Sequence, residues 1–179
     1  FFKFKFRLVL MEKALVYHTN VDSRTAELDD LDVFEQARFV SNILPNLGYE
    51  PISQPFIIEK AEAEIKKIKP AFVFNLVEAI FGKEYLSYLA PEIFEQLNVP
   101  YTGCTKKAFR KTAHKVSAKM TLNENRILTP YFLTLEDLSK KELQGKSFLV
   151  KSATDHASKG LEATLYERKD SLKKTLESK

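Results

Sequence analysis

The sequence predicts an α/β fold built on an open parallel sheet. Short apolar runs of the kind that form buried strands alternate, along the first part of the chain, with stretches of helical periodicity. Polar residues follow these runs, as they do at the carboxyl edge of a parallel sheet, where ligands bind. With 179 residues, 44% of them hydrophobic, the chain is long and apolar enough to bury a sizeable core.

Strands and helices are expected to alternate regularly after Met11. The predicted strands are residues 13–18, 71–77 and 99–103, and the predicted helices are residues 32–47, 59–69 and 85–97. Gly48 is expected to cap the first helix, and Pro91 to reset the start of the third. Residues 50–58 read as an extended segment that Pro51 and Pro55 break. These elements look like scaffold, and the loops after the strands are where a site is expected.

The first ten residues alternate Phe with Lys or Arg. This alternation is a valid edge-strand signal, yet the segment precedes a methionine at which the regular pattern begins. We therefore expect an extra amino-terminal segment over residues 1–11, with Met11 as the natural start.

The second part of the chain is basic. Residues 1–104 hold 11 Lys and Arg against 15 Asp and Glu, whereas residues 105–179 hold 17 against 9. Residues 105–122 predict a helix with Lys111, Lys115 and Lys119 at a spacing of four, and residues 127–135 predict a linker and a strand. Such an excess of cations favours an anionic partner, either a polyphosphate nucleotide or nucleic acid. Nucleic acid is disfavoured because the basic residues are dispersed through apolar periodicity.

Residues 147–160 have the features of a phosphate site. An apolar run at 148–150 predicts a strand that ends at Lys151, and a loop of small residues with uncovered backbone N–H groups follows. Ser158 adds a hydroxyl donor, Lys159 a second cation, and Gly160 closes the loop. Spacing alone favours an ordinary arrangement of a strand, a surface hairpin loop and a second strand at 161–166, because such loops are common, and the loop is neither a Walker A motif nor G-x-G-x-x-G.

Four stretches in register carry a family resemblance. They are Val-Phe-Asn-Leu-Val-Glu at 73–78, Leu-Asn-Val-Pro-Tyr-Thr-Gly at 97–103, His114-Lys115 with Lys119, and Phe-Leu-Val-Lys at 148–151 followed by Asp-His-Ala-Ser-Lys-Gly at 155–160. Together they resemble the amino-terminal half of ATP-grasp enzymes of the D-alanine–D-alanine ligase-like family, over most of residues 12–166.

The resemblance implies a domain order. Residues 12–104 would form a Rossmann-like, open parallel-sheet pre-ATP-grasp domain, residues 105–126 a connecting basic helix, and residues 127–179 the start of an α+β ATP-grasp domain. Residues 167–179 would be a charged helix within this last part.

The resemblance also implies a function and site residues. The function would be ATP-dependent ligation of a carboxylate to an amine through an acyl phosphate, on amino-acid or peptide-like substrates. The nucleotide-binding residues would be Lys115, Lys151, Ser158, Lys159 and Gly160. Glu78 and Asn75 would face the amino-acid pocket, and Mg²⁺ would be held by ligands expected beyond Lys179.

The sequence departs from the family pattern near the amino-acid pocket. The loop after the first strand lacks the usual Gly-Gly turn, which leaves Asp22 or Glu27 as a candidate ammonium anchor or simply part of a solvated loop. Residues 80–84 replace the usual Gly-rich acidic turn. His114 stands in place of an aspartate and is expected to be a surface or capping residue, and Ser152 stands in place of a proline.

Some alternatives stay open at the level of sequence. A catalytically incomplete nucleotide-binding or regulatory module would retain the sheet and the loop, and homodimer formation is undecided. The lone cysteine, Cys104, excludes an internal disulfide, which fits a reducing cytoplasm. No apolar run approaches the ~20 residues of a membrane span, so we expect a cytoplasmic protein that does not insert into membranes.

Overall fold

The first strand of the chain lies in the middle of a parallel sheet. The computed structural model describes residues 11–21, 28–134, 136–137 and 149–154, with the backbone alone at 28–31. Strand β1 (Glu12–His18) pairs with β2 (Tyr49–Pro55) on one side and with β3 (Phe72–Leu76) on the other, giving the order β2-β1-β3. A parallel bridge between Val73 and Tyr101 extends the sheet beyond β3.

Five helices are described. They are α1 (Leu28–Ile43), α2 (Ile58–Ile68), α3 (Leu89–Gln96), α4 (Lys106–Thr112) and α5 (Lys115–Glu124). Short 3₁₀ turns follow α1 at Leu44–Leu47 and precede α3 at Glu84–Leu86. Among the described residues, no helix combines the length and the apolar character that crossing a membrane requires.

The core lies on both faces of the sheet because successive residues of a strand point to opposite sides. Leu15 and Tyr17 pack on one face in a cluster that includes Ala61 and Ile65 of α2 and Phe94 of α3. On the other face, the partners of Ala14 and Val16 include Ala37 of α1 and Leu44. The predicted three-layer α/β arrangement with at least three parallel strands is therefore confirmed.

The segment read as an extended piece broken by prolines is a strand at the edge of the sheet that the described residues form. Phe56 N–H donates to the His18 carbonyl at 2.8 Å. With the register of the two strands, this means that the backbone N–H and C=O groups of the even-numbered residues of β2 bond to β1, whereas those of the odd-numbered residues point away from β1. Pro51 and Pro55 are both odd-numbered, so neither interrupts the pairing with β1. They also remove two donors from the outer edge of β2, which protects this edge from adding a further strand.

The helix boundaries differ from the prediction in ways that local chemistry explains. Helix α1 begins at Leu28, earlier than residue 32, and Gly48 closes its 3₁₀ extension with φ of +85°, as expected of a left-handed cap. Helix α3 begins at Leu89, later than residue 85. Pro91 lies in its first turn, where a missing N–H costs no helical hydrogen bond.

The predicted basic helix over 105–122 is wrong as a single element. Helices α4 and α5 are separate, and His114 between them is extended, with φ of −96° and ψ of 114°. The chain divides into two compact units, Phe1–Lys106 and Lys107–Lys179, so this break lies within the second unit. Residues 127–134 and 149–154 are neither helix nor strand, so the strands predicted there are not found in the described residues. The four-part domain division stays a prediction.

Candidate functional site

Two loops meet at the carboxyl edge of the sheet in the first unit. Strands β1 and β3 are parallel and in register at His18 and Leu76, so the residues that follow them emerge side by side. The Thr19 hydroxyl accepts hydrogen bonds from the Glu78 N–H at 2.8 Å and from the Ala79 N–H at 3.4 Å. The loop after His18 and the loop that holds Glu78 are thus bonded to each other, and the Glu78 side chain is exposed beside this junction.

His18 is a structural residue of this edge. Only 7% of it is exposed, and its ring meets the Phe34 ring edge-on at 5.4 Å between centroids. Its Nδ1 lies 2.9 Å from the Thr19 carbonyl oxygen. These contacts fix the start of the loop and leave Thr19 oriented toward the residues after β3.

Asn75 shapes the turn that presents Glu78. Its Oδ1 accepts from the Val77 N–H at 3.2 Å, and its own N–H donates to the Thr102 hydroxyl at 3.0 Å. Thr102 follows the bridge that extends the sheet beyond β3, so its hydroxyl satisfies a donor on the outer side of that strand. Asn75 therefore has a local role that sequence reasoning missed, and its role as a substrate contact stays a prediction.

A tight turn follows Glu78 and is a second feature that the sequence did not reveal. Ile80 and Lys83 exchange two backbone hydrogen bonds, at 3.2 and 3.0 Å. Phe81 and Gly82 between them both have positive φ, of 54° and 69°. The only sequence signal was the Phe-Gly pair, and Phe is not a residue that such turns favour.

Lys115 and Lys151 belong to neighbouring segments of the second unit. The Lys115 N–H at the start of α5 donates to the Ala153 carbonyl at 2.7 Å, two residues beyond Lys151. Val150, which precedes Lys151 in this segment, is buried, whereas Lys151 is exposed. The structure thus brings together the two segments that hold the predicted nucleotide lysines.

His114 caps α5, as the sequence suggested. Its Nδ1 accepts from the Ser117 N–H at 3.4 Å, which satisfies one of the donors left free in the first helical turn. With the Lys115 N–H bonded to Ala153, two of these donors have partners. This arrangement accounts for the break between α4 and α5.

Lys119 fastens the segment that follows α5. Its ammonium donates to the Thr129 hydroxyl and to the Pro130 carbonyl, both at 2.9 Å, and lies 5.6 Å from the centroid of the Phe132 ring. With these partners, Lys119 has a structural role. Of the three lysines at a spacing of four, this one therefore ties residues 129–132 to α5.

A polar cluster fixes the end of the first unit. The Tyr101 hydroxyl donates to Glu95 Oε1 at 2.7 Å, and the Lys106 N–H donates to the same oxygen at 2.9 Å. Burial, and then the bond to Glu95, raise the pKa of Tyr101 to about 12. The hydrogen bonds from Tyr101 and then from Lys106 hold the pKa of the Glu95 carboxyl below its usual value. Lys106 also pairs with Glu92.

Several predicted residues lie outside the described part of the chain. These are Ser158, Lys159 and Gly160 of the phosphate loop, Asp22 and Glu27 after β1, and the elements predicted at residues 1–10, 161–166 and 167–179. In the described ranges, no group of three or more His, Cys, Asp or Glu residues is arranged to hold a metal ion.

Comparison with known proteins reveals similarity in structure alone. No protein-family model and no curated protein sequence matches the chain. Among solved structures, 37 chains match. One is the D-alanyl-alanine synthetase A from Vibrio cholerae O1 biovar eltor str. N16961, with a TM-score of 0.64 and 15% sequence identity over 94% of this chain and 56% of that one. The chain therefore shares the fold of part of that synthetase and spans little more than half of its length.

Proposed function

We propose that the chain is the amino-terminal portion of an ATP-dependent carboxylate–amine ligase of the D-alanine–D-alanine ligase-like group. The observation that supports this most is the fold match to a D-alanyl-alanine synthetase over 94% of the chain. Fold alone does not determine chemistry. The proposal therefore also depends on the four sequence landmarks and on the groups that the fold presents at its loops.

The nucleotide would be bound by the second unit. Lys115 and Lys151 are the cations for its phosphates, and Ser158, Lys159 and Gly160 would complete the loop over the terminal phosphate. The hydrogen bond from Lys115 to Ala153 supports this assignment because it holds the two lysine-bearing segments together before any ligand arrives. Lys151 is exposed, so its ammonium is accessible to an anion.

The amino-acid substrate would be bound by the first unit. Glu78 is exposed at the carboxyl edge of the sheet, where ligands of parallel α/β folds bind, and its carboxylate suits an ammonium group. Asn75 would act beside it, mainly by holding the turn that presents Glu78. The bond between Thr19 and Glu78 N–H fixes the backbone of this residue.

The reaction that we propose proceeds in two displacements. A carboxylate oxygen of one substrate takes the terminal phosphoryl group of ATP and ADP leaves. The amine of the second substrate then attacks the acyl carbon, phosphate leaves, and the nitrogen loses a proton. The part of this chain is electrostatic: Lys115 and Lys151 neutralise phosphate charge and hold the reacting oxygens in line. Mg²⁺ would further neutralise the phosphates.

The test is a ligase assay on the complete gene product. With ATP, Mg²⁺ and a panel of amino acids, we expect ADP release that depends on the amino acid, and a dipeptide-like product by mass spectrometry. The Lys151→Ala variant should lose most of this activity, whereas Lys67→Ala, an exposed lysine of α2, should keep it. ATP binding without amino-acid-dependent ADP release would instead favour a catalytically incomplete nucleotide-binding module.

A further inference from the structure

The turn after Glu78 displays an aromatic ring in an unfavourable backbone conformation. Phe81 occupies the first central position of a two-residue turn closed by the hydrogen bonds between Ile80 and Lys83. Positive φ at both central residues is the signature of a type I′ turn, in which Asn, Asp or Gly normally holds the first position. A backbone φ of 54° is a true outlier for a bulky residue such as phenylalanine.

Packing within the first unit does not account for this choice of residue. The Phe81 ring is 70% exposed, so it gains little from burial. Ile80, the residue before it, is only 5% exposed and belongs to the core cluster shared by α2 and α3. The turn is therefore anchored through Ile80 and projects Phe81 outward from a fixed base.

The turn lies close to the carboxyl edge of the sheet, where a ligand could contact the Phe81 ring. Phe81 lies three residues after Glu78, whose backbone is bonded to Thr19 at the carboxyl edge of β1 and β3. Lys83, on the other side of the turn, is exposed, and its ammonium lies 6.0 Å from the Tyr85 ring centroid. A carboxylate, an ammonium and an exposed aromatic ring thus occur within six residues beside a sheet edge of the kind that binds ligands. Backbone outliers that packing does not explain concentrate at such sites.

We infer that Phe81 is a substrate-recognition residue that selects an amino acid with a large apolar or aromatic side chain. A flat ring offers contact area to a large apolar group, whereas the methyl group of alanine covers little of it. Glu78 would bind the ammonium of this amino acid and Lys83 its carboxylate. The inference rests on the proposed ligase function and narrows its substrate class.

The first experiment uses the absence of tryptophan from the chain. The variant Phe81→Trp of the complete gene product carries a fluorescent reporter at the turn, and its signal is the difference between the emission of this variant and that of the parent, which subtracts any tryptophan outside residues 1–179. Titration with phenylalanine or leucine, in either enantiomer, should shift its emission to shorter wavelength and saturate. Titration with alanine or glycine over the same range should leave the emission unchanged. A signal that changes only with protein concentration would show a self-association surface and overturn the inference.

The second experiment removes the ring without disturbing the turn. Phe81→Asn creates an Asn-Gly pair, which suits a type I′ turn, so this variant should fold even if Phe81→Trp does not. In the ADP-release assay, its KM for phenylalanine or leucine should rise at least tenfold, with little change in kcat or in the KM for alanine. Phe39→Ala is the control, because Phe39 is a 66% exposed ring on α1 and should have no effect.

The outcomes separate the inference from the function on which it rests. A saturable fluorescence response of the Phe81→Trp variant to large amino acids, without ADP release, would refute the ligase proposal and support the recognition site. ADP release with a substrate preference that Phe81→Asn leaves unchanged would support the ligase and overturn the inference. If the protein shows no fluorescence response and no ADP release, both the ligase proposal and the recognition site are overturned.

Discussion

At the scale of the residue, Phe81 shows a conflict between local stability and exposure. Its backbone lies in the left-handed region, which costs a non-glycine residue roughly 1–2 kcal/mol, and its ring is mostly in water. Phe81→Asn should therefore stabilise the protein by about 1 kcal/mol, because Asn tolerates this region. Urea unfolding of the two proteins measures the difference.

The neighbouring glycine provides the matched control. Gly82 has φ of 69°, and no heavy atom outside the glycine and its two chain neighbours lies within 4 Å of the point that a Cβ would occupy, so only the backbone conformation opposes a side chain there. Gly82→Ala should destabilise the protein by about 1 kcal/mol. Equal stability of Phe81→Asn and the parent would mean that the ring or its backbone has partners that offset the strain.

The Tyr101–Glu95 pair makes stability depend on pH at both ends of the scale. Because the pKa of Tyr101 rises from 10.0 to about 12 on folding, its stabilising effect is complete below pH 10 and is lost as the pH rises toward 12. Because the pKa of Glu95 falls below 4.5, its effect is present above pH 4.5 and is lost as the pH drops further.

The variant Tyr101→Phe tests this predicted dependence of stability on pH. The stability difference between parent and variant should be greatest between pH 5 and 9 and should shrink on either side, since protonation of Glu95 weakens this hydrogen bond and ionisation of Tyr101 removes its donor. Urea unfolding across this pH range measures the difference. A difference that grows above pH 10 would contradict the assignment.

At the scale of the element, α5 is defined by its contacts with later segments of the second unit. Lys119 joins it to residues 129–132 through two hydrogen bonds and one ring contact. Lys119→Met keeps most of the aliphatic stem but removes all three interactions, so we expect a loss of about 1–3 kcal/mol.

Hydrogen exchange should locate this loss. Amide protection should fall in residues 129–134 and in the adjacent turns of α5, while the first unit is unchanged. The matched variant Lys111→Met alters an exposed lysine of α4 and should change stability by less than about 0.5 kcal/mol. Equal effects of the two variants would show that the Lys119 contacts add nothing.

The elements could be predicted where local pattern and tertiary context agree. Strands β1 and β3 are short apolar runs, and both could be predicted from this pattern. Gly48 could be predicted as a helix cap because the left-handed conformation at that position favours glycine. Strand β2 was not recognised because Pro51 and Pro55 are acceptable only on the outward side of an edge, a fact of pairing that local sequence does not contain. The break at His114 also depends on a distant partner, the Ala153 carbonyl.

At the scale of the whole molecule, periodicity determined the layers but not the details of the sites. Buried runs and amphipathic helices are repeated signals, so the α/β fold could be predicted from them. The bond between the two loops depends on one residue, Thr19, whose partner Glu78 is far away in sequence. The strained turn at Phe81 is closed by backbone atoms of Ile80 and Lys83, which side-chain pattern does not reveal. Lys115 and Lys151 could be predicted as candidates only because family landmarks surround them.

In the proposed function, the second unit binds the phosphates of ATP through Lys151. Calorimetric titration of ATP into the complete gene product, with and without Mg²⁺, tests it most directly. We predict saturable binding that Lys151→Ala weakens by about 1.5–3 kcal/mol, the range for a hydrogen bond to a charged group, without changing the stability of the free protein. Lys159→Ala should weaken binding less, and Lys67→Ala should not weaken it. If Lys151→Ala binds ATP as tightly as the parent does, the phosphate site is not at this lysine and the account is contradicted.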